Sequence, residues 1–138
     1  MTIYADIRAA LEGRIASVSG VPSAANRAWE NVKFSPTTGT AWVRMQLVPI
    51  SRRPLDVTAT GLQRHDGLFV VDVFVPSGKG PSAADTLADA ICTAFEAGTV
   101  LTANSQTVQI EYAEIDRAAV SDPPWYQAMV SVKWKAFA

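Results

Sequence analysis

The stretch Gly67–Val75, GLFVVDVFV, restricts the fold of this chain more than any other segment. β-Branched and aromatic residues dominate it, so it is a strand. Strand alternation puts Leu68, Val70, Asp72 and Phe74 on one face and Phe69, Val71, Val73 and Val75 on the other. A strand apolar on both faces belongs in the middle of a sheet or is covered on both sides. Asp72 is the exception. A carboxylate among apolar neighbours needs a partner if buried, and Arg44, on the preceding strand, is the expected one.

Residues 2–19 read as a helix, because Ile3, Ile7, Leu11, Ile15 and Val18 line one face and Gly20 and Pro22 follow. A short strand is expected near Ala25–Val32. Residues 41–48, AWVRMQLV, alternate as a second strand that Pro49 ends. Residues 49–65, with Arg52, Arg53 and Arg64, read as a long exposed connection. After the turn Pro76–Pro81, Ser82 is the expected N-cap, with Asp85 at the third helical position. That helix should run to about Ala97 and stop at Gly98. A hairpin follows, Thr99–Thr102 and Thr107–Ile115 around Ala103-Asn104-Ser105. The loop Asp116–Pro124 leads to a last strand. There Tyr126, Ala128, Val130, Val132, Trp134 and Ala136 alternate with Gln127, Met129, Ser131, Lys133 and Lys135. The order α-β-β-β-α-β-β-β predicts one α+β domain over residues 1–138. Its sheet should be mainly antiparallel or mixed, of about five to six strands, with both helices on one face.

The 138 residues suit one domain, and 12 basic against 13 acidic residues leave a net charge of −1. That balance supplies no field to draw in nucleic acid or an anionic membrane. One cysteine, Cys92, permits no intrachain disulfide, and one histidine, His65, permits no zinc cluster. Neither a signal peptide nor a membrane-spanning run is read from the sequence, so a soluble protein made in the cytoplasm is expected.

Residues 78–82, Gly-Lys-Gly-Pro-Ser, lack the first glycine of a phosphate-binding loop, and Pro81 removes a donor. His65 beside Asp66 reads as a surface histidine at a loop end, since adjacent residues rarely form a base and its orienting acid. Cys92 reads as a small buried hydrophobe. Asp85 and Asp89 lie one helical turn apart without further ligands, and Asp85 suits a helix start. No catalytic, cofactor-binding or metal-binding residue is therefore predicted. Trp29, Trp42, Trp125 and Trp134 are many for this length, and Trp and Arg are enriched at protein interfaces. Arg52, Arg53, Arg64, Trp125, Lys133 and Lys135 are the candidate protein-interface residues.

Three segments carry a family resemblance: IYADIRAALEGRIASVSGVP running into AWENVKFSPTTGTAWVRMQLVP, then HDGLFVVDVFVPSGKGPSAADTLADAICTAF, then PPWYQAMVSVKWKAF. Together they resemble the tail terminator (tail completion) proteins of long-tailed bacteriophages, prophages and gene transfer agents, related in fold to the lambda-type terminator. The resemblance implies a structural protein without cofactor or chemistry. It implies a homo-hexameric ring at the head-proximal end of a long non-contractile tail, which ends polymerisation of the tube and offers a surface for head joining. The implied partners are further copies of the chain, the major tail tube protein and a neck or head-completion protein. DNA would only pass through the lumen, and no membrane is involved. The implied location is the neck-proximal end of the virion tail. On this reading the 49–65 segment faces tube or lumen, and the wet face of the last strand borders a neighbouring subunit or the outside. Two other readings compete, a different neck component and a small ligand-binding or enzymatic α+β domain.

Overall fold

The computed structural model describes residues 2–55, 57, 61–116 and 120–138. Helix α1 spans Ile3–Ala16, and one 3-10 turn, Ala24–Asn26, leads into β1, Arg27–Ala28. Strands β2, Trp42–Pro54, and β3, Gln63–Pro76, precede helix α2, Ser82–Ala94. Strands β4, Val100–Ala103, β5, Gln106–Ile115, β6, Val120–Asp122, and β7, Trp125–Phe137, complete the chain. The sheet order is β1-β2-β3-β7-β5-β4, with β6 also on β7. β1 is parallel to β2 and the other pairs are antiparallel, so the sheet is mixed. The α+β architecture is the expected one. β6 adds a strand within a segment read as loop, and the strand expected over Ala25–Val32 contracts to β1.

As its composition requires, β3 lies between β2 and β7. Its inner face, Phe69, Val71, Val73 and Val75, is buried with Val43, Met45 and Leu47 of β2 and Ala128, Val130, Val132 and Trp134 of β7. Ile7, Leu11 and Ile15 of α1 and Leu87, Ile91 and Phe95 close this core, so both helices pack on one face. Burying each such large side chain stabilises the fold by about 1.5–3 kcal/mol. On the outer face Trp42 stacks on Phe74 with ring centroids 4.0 Å apart. Trp125 meets Trp42 edge-on at 6.0 Å, and Phe34 packs on its other side. This aromatic cluster closes one end of the outer face.

Several boundaries differ from the sequence reading. The expected 49–65 connection is largely strand: Ser51 pairs with Asp66, Arg52 with His65, Arg53 with Arg64 and Pro54 with Gln63. A bulge between Pro49 and Ser51 absorbs Ile50 and lets pairing resume. Proline is tolerated here because, among the described residues, β2 has no strand partner on its far side beyond β1. Residues 56 and 58–60 of the expected connection lie outside the described residues, as do 117–119 of the expected 116–124 loop. Ser82 is the first residue of α2 and Pro81 occupies the N-cap, with no side-chain capping bond. α2 ends at Ala94 rather than near Ala97, because Phe95 leaves helical geometry and buries its ring 6.1 Å from that of Phe69. The β4–β5 turn is as expected. Asn104 and Ser105 have φ of 49° and 69°, the primed-turn conformation that matches strand twist.

Candidate functional site

The sequence-nominated basic residues share one end of the sheet but not one face. Asp66 stands opposite Ser51 on β2 and Lys135 on β7, and Leu68 stands opposite Lys133. On this outer face Arg64 Nε donates to Asp66 Oδ2 at 3.0 Å, and an Arg64 terminal nitrogen donates to Glu111 Oε1 at 3.1 Å. Lys133 Nζ lies 3.7 Å from Asp66, and Lys135 Nζ lies 3.9 Å from Glu111. Arg64, Lys133 and Lys135 thus form one charged ladder with Asp66 and Glu111, and Arg53 flanks it opposite Arg64. Burial alone would raise Asp66, but hydrogen bonds from Arg64, the charges of Arg64 and Lys133 and the Ser51 hydroxyl outweigh it. Its pKa is held below the usual carboxylate value. Exposed pairs of this kind contribute little each to stability. The ladder's effect is to fix where the cationic groups stand.

Arg52 is not part of this ladder. It is paired with His65, one residue out of phase with Arg53 and Arg64, and its Nε donates to Gln63 Oε1. Alternation therefore splits the three arginines read from sequence as one patch. Trp125 belongs to the aromatic cluster around Trp42, half-buried at the opposite end of the sheet.

His65 is not the surface residue expected. It is fully buried, with Nδ1 hydrogen-bonded to Tyr4 Oη at 3.1 Å and its ring edge-on to Tyr4 at 5.4 Å. Extending the alternation of Phe69 back through Gly67 to His65 is the sequence signal for this placement. Burial first and the charge of Arg52 second hold the imidazole below its ordinary pKa, although Asp66 opposes them. The unfolded chain therefore takes up a proton, as pH falls below about 6.5, that the folded chain resists. Stability should decline from there toward pH 5, at most about 1.4 kcal/mol per pH unit for one group. Glu30 and Asp66, whose folded pKa values are lowered, lose their contributions only as pH falls further through the carboxylate range. Urea midpoints at pH 7.5 and 5.5 should differ for the native chain and much less for His65→Gln. Equal pH dependence in the two would refute this assignment.

Two features escaped the sequence reading. The first is a groove of about 500 Å³ between residues 28–36 and β2, with Trp29, Val32, Phe34 and Trp42 among its walls. Glu30 stands in it and accepts both Arg8 at 2.7 Å and the Leu47 backbone N–H at 3.0 Å. These bonds hold its carboxyl below the usual range. The second is a set of exposed aliphatic residues on the β2–β3 hairpin, Leu55, Val57 and Leu62 near its turn and Ile50 at the bulge beside the charged ladder. Among the described residues, neither feature brings together a catalytic constellation. Among the described residues no three His, Cys, Asp or Glu side chains gather as a metal site. Cys92 is half-buried, and burial, then Asp89 and Glu114, push its thiol up. No described helix is long and apolar enough to cross a membrane.

The model of the phage tail terminator protein family matches residues 6–134. The chain belongs to this family. It is accordingly a structural protein of the phage tail, located in the virion. No curated protein matches it. One solved chain, known only by a sequence identifier, is 21% identical with a TM-score of 0.73, covering 94% of this chain and 92% of that one. A chain in a structure titled as the virion of a native gene transfer agent particle is 14% identical with a TM-score of 0.63, covering 99% and 98%. These likenesses show a shared fold. In a tail terminator family member, the charged ladder, the groove and the hairpin tip are the surfaces to explain.

Proposed function

We propose that this chain forms a ring at the head-proximal end of a long non-contractile tail, where it ends polymerisation of the tube and presents the surface for head joining. The family match over nearly the whole domain carries this reading. The likeness to a chain of a gene transfer agent virion supports a place in such a particle. A closed ring uses two different complementary patches on each subunit. The domain has distinct surfaces at the two ends of its sheet, as such a ring needs. Six copies is the count the resemblance implies. Arg53, Arg64, Lys133 and Lys135, with Arg52 and Trp125 beside them in role, are assigned to contacts with neighbouring tail proteins.

Deleting the gene from a particle-producing strain tests the reading. Electron micrographs should show tails of uncontrolled length without heads. Tails of normal length that merely lack heads would transfer the assignment to another neck component.

A further inference from the structure

We propose that neighbouring copies of this chain meet edge to edge, the basic β1–β2 edge of one against the acidic α2–β5 flank of the next. The proposal rests on the ring reading and names its contact. The chain is nearly neutral as a whole, yet its charges are sorted. Residues 27–54, from the start of β1 to the end of β2, hold Arg27, Lys33, Arg44, Arg52 and Arg53 against the single acid Glu30. Residues 82–116, from the start of α2 to just past β5, hold Asp85, Asp89, Glu96, Glu111, Glu114 and Asp116 and no Lys or Arg.

The topology sends these two sets to opposite edges, since β1 and β2 begin the strand order and β5 and β4 end it. Glu30 is engaged by Arg8 and Arg44 by Asp72. Lys33, Arg52 and Arg53 are exposed and keep that edge basic. On the other flank Glu111 belongs to the ladder. Asp85, Asp89, Glu96, Glu114 and Asp116 are exposed and, among the described residues, in no ion pair. The charges of Asp89 on α2 and Glu114 on β5 both act on the Cys92 thiol, so helix and strand present one acidic surface.

Both edges are also open. β1 pairs with only Val43 and Arg44 of β2. β4 pairs with β5 only over Gln106–Gln109, and among the described residues no strand lies on that side of β5 from Glu111 to Ile115. Tyr112 and Ile115 are exposed there on either side of Glu114, and Ile50 is exposed near Arg52 on β2. Apolar side chains within a polar surround are the anatomy of a protein contact.

Charge selects the arrangement and the occupant. Joining two basic edges, or two acidic flanks, across a twofold axis sets like charges against each other, which opposes association. Basic edge on acidic flank matches opposite charges and leaves each copy one edge of either kind for its other neighbour. That is a heterologous contact, the type that propagates around a ring. One chain carries both halves of the match, so a second copy is a sufficient occupant.

Charge reversal tests the contact. One variant combines Lys33→Glu, Arg52→Glu and Arg53→Glu; the other combines Asp89→Lys, Glu114→Lys and Asp116→Lys. All six positions are exposed, so both variants should keep the native circular dichroism. Each alone should lose the ring by light scattering, with and without the tube protein. An equimolar mixture should recover the native ring mass, because reversed edge then meets reversed flank and native edge meets native flank. Added salt should loosen the native ring, a readout that needs no substitution, because exposed charges are screened. A ring formed by either variant alone, a mixture that stays dissociated, or native association that salt leaves unchanged or strengthens would overturn this contact and leave the ring reading intact. A native chain that forms no ring in either condition would remove both.

Discussion

Gly67→Ala should destabilise the domain by about 3 kcal/mol, and Gly67→Val by more. A Cβ at this position would lie 2.5 Å from Trp134 Cζ2 and 2.6 Å from the Val48 carbonyl oxygen. Neither neighbour can yield cheaply. Trp134 is fully buried among the core residues of β7, and Val48 O belongs to the backbone of β2 beside the bulge. Gly67 is the direct partner of Pro49 on one side and Trp134 on the other. The glycine is needed because the indole lies across the space a side chain would fill. Gly13→Ala is the control. Nothing lies within 4 Å of its added Cβ, so in mid-helix it should stabilise by about 0.5–1 kcal/mol. Urea midpoints of the two variants should shift in opposite directions, and a neutral Gly67→Ala would defeat the packing argument.

Much of the fold is legible wherever a residue's fate depends on its own strand or helix. The period-two alternation of residues 67–75 and 126–136 names the inner faces of β3 and β7, because a strand has no other way to sort its side chains. The four-residue steps from Ile3 to Ile15 do the same for α1. Asp72 is legible with its partner, since a carboxylate in an apolar strand tolerates burial only beside a donor, and Arg44 is paired with it at 3.0 Å. What is not legible depends on tertiary context. Pro49 reads as a strand end, yet one bulged residue restores the register and carries β2 five residues further. That extension turns His65 inward and separates Arg52 from Arg53 and Arg64. The groove needs irregular residues 28–36 folded against β2, and Glu30 needs the unpaired Leu47 N–H to find its place. No local pattern encodes either. Of the residues nominated from composition, Arg64, Lys133 and Lys135 come together in the ladder, while Arg52 and Trp125 stand apart from it.

The Arg44–Asp72 pair should respond asymmetrically to mutation. Asp72 is 7% exposed, whereas half of the Arg44 side chain is in solvent. Arg44 donates to Asp72 Oδ2 through two nitrogens, at 3.0 and 3.2 Å, and Gln127 Nε2 donates to Oδ1 at 3.0 Å. Arg44→Ala leaves a buried carboxylate with Gln127 as its one remaining side-chain donor, and should cost about 3 kcal/mol, the lower end for breaking a buried pair. Asp72→Ala releases a guanidinium that already reaches water and lies 5.2 Å over the Phe74 ring, so it should cost about 1 kcal/mol. Combining Arg44→Ala with Asp72→Leu should recover part of the Arg44→Ala loss, because no charge then remains buried. Denaturant midpoints of the two single variants and the double variant measure the difference. If Asp72→Ala proves the costlier single change, desolvation of the carboxylate is not what makes this pair necessary.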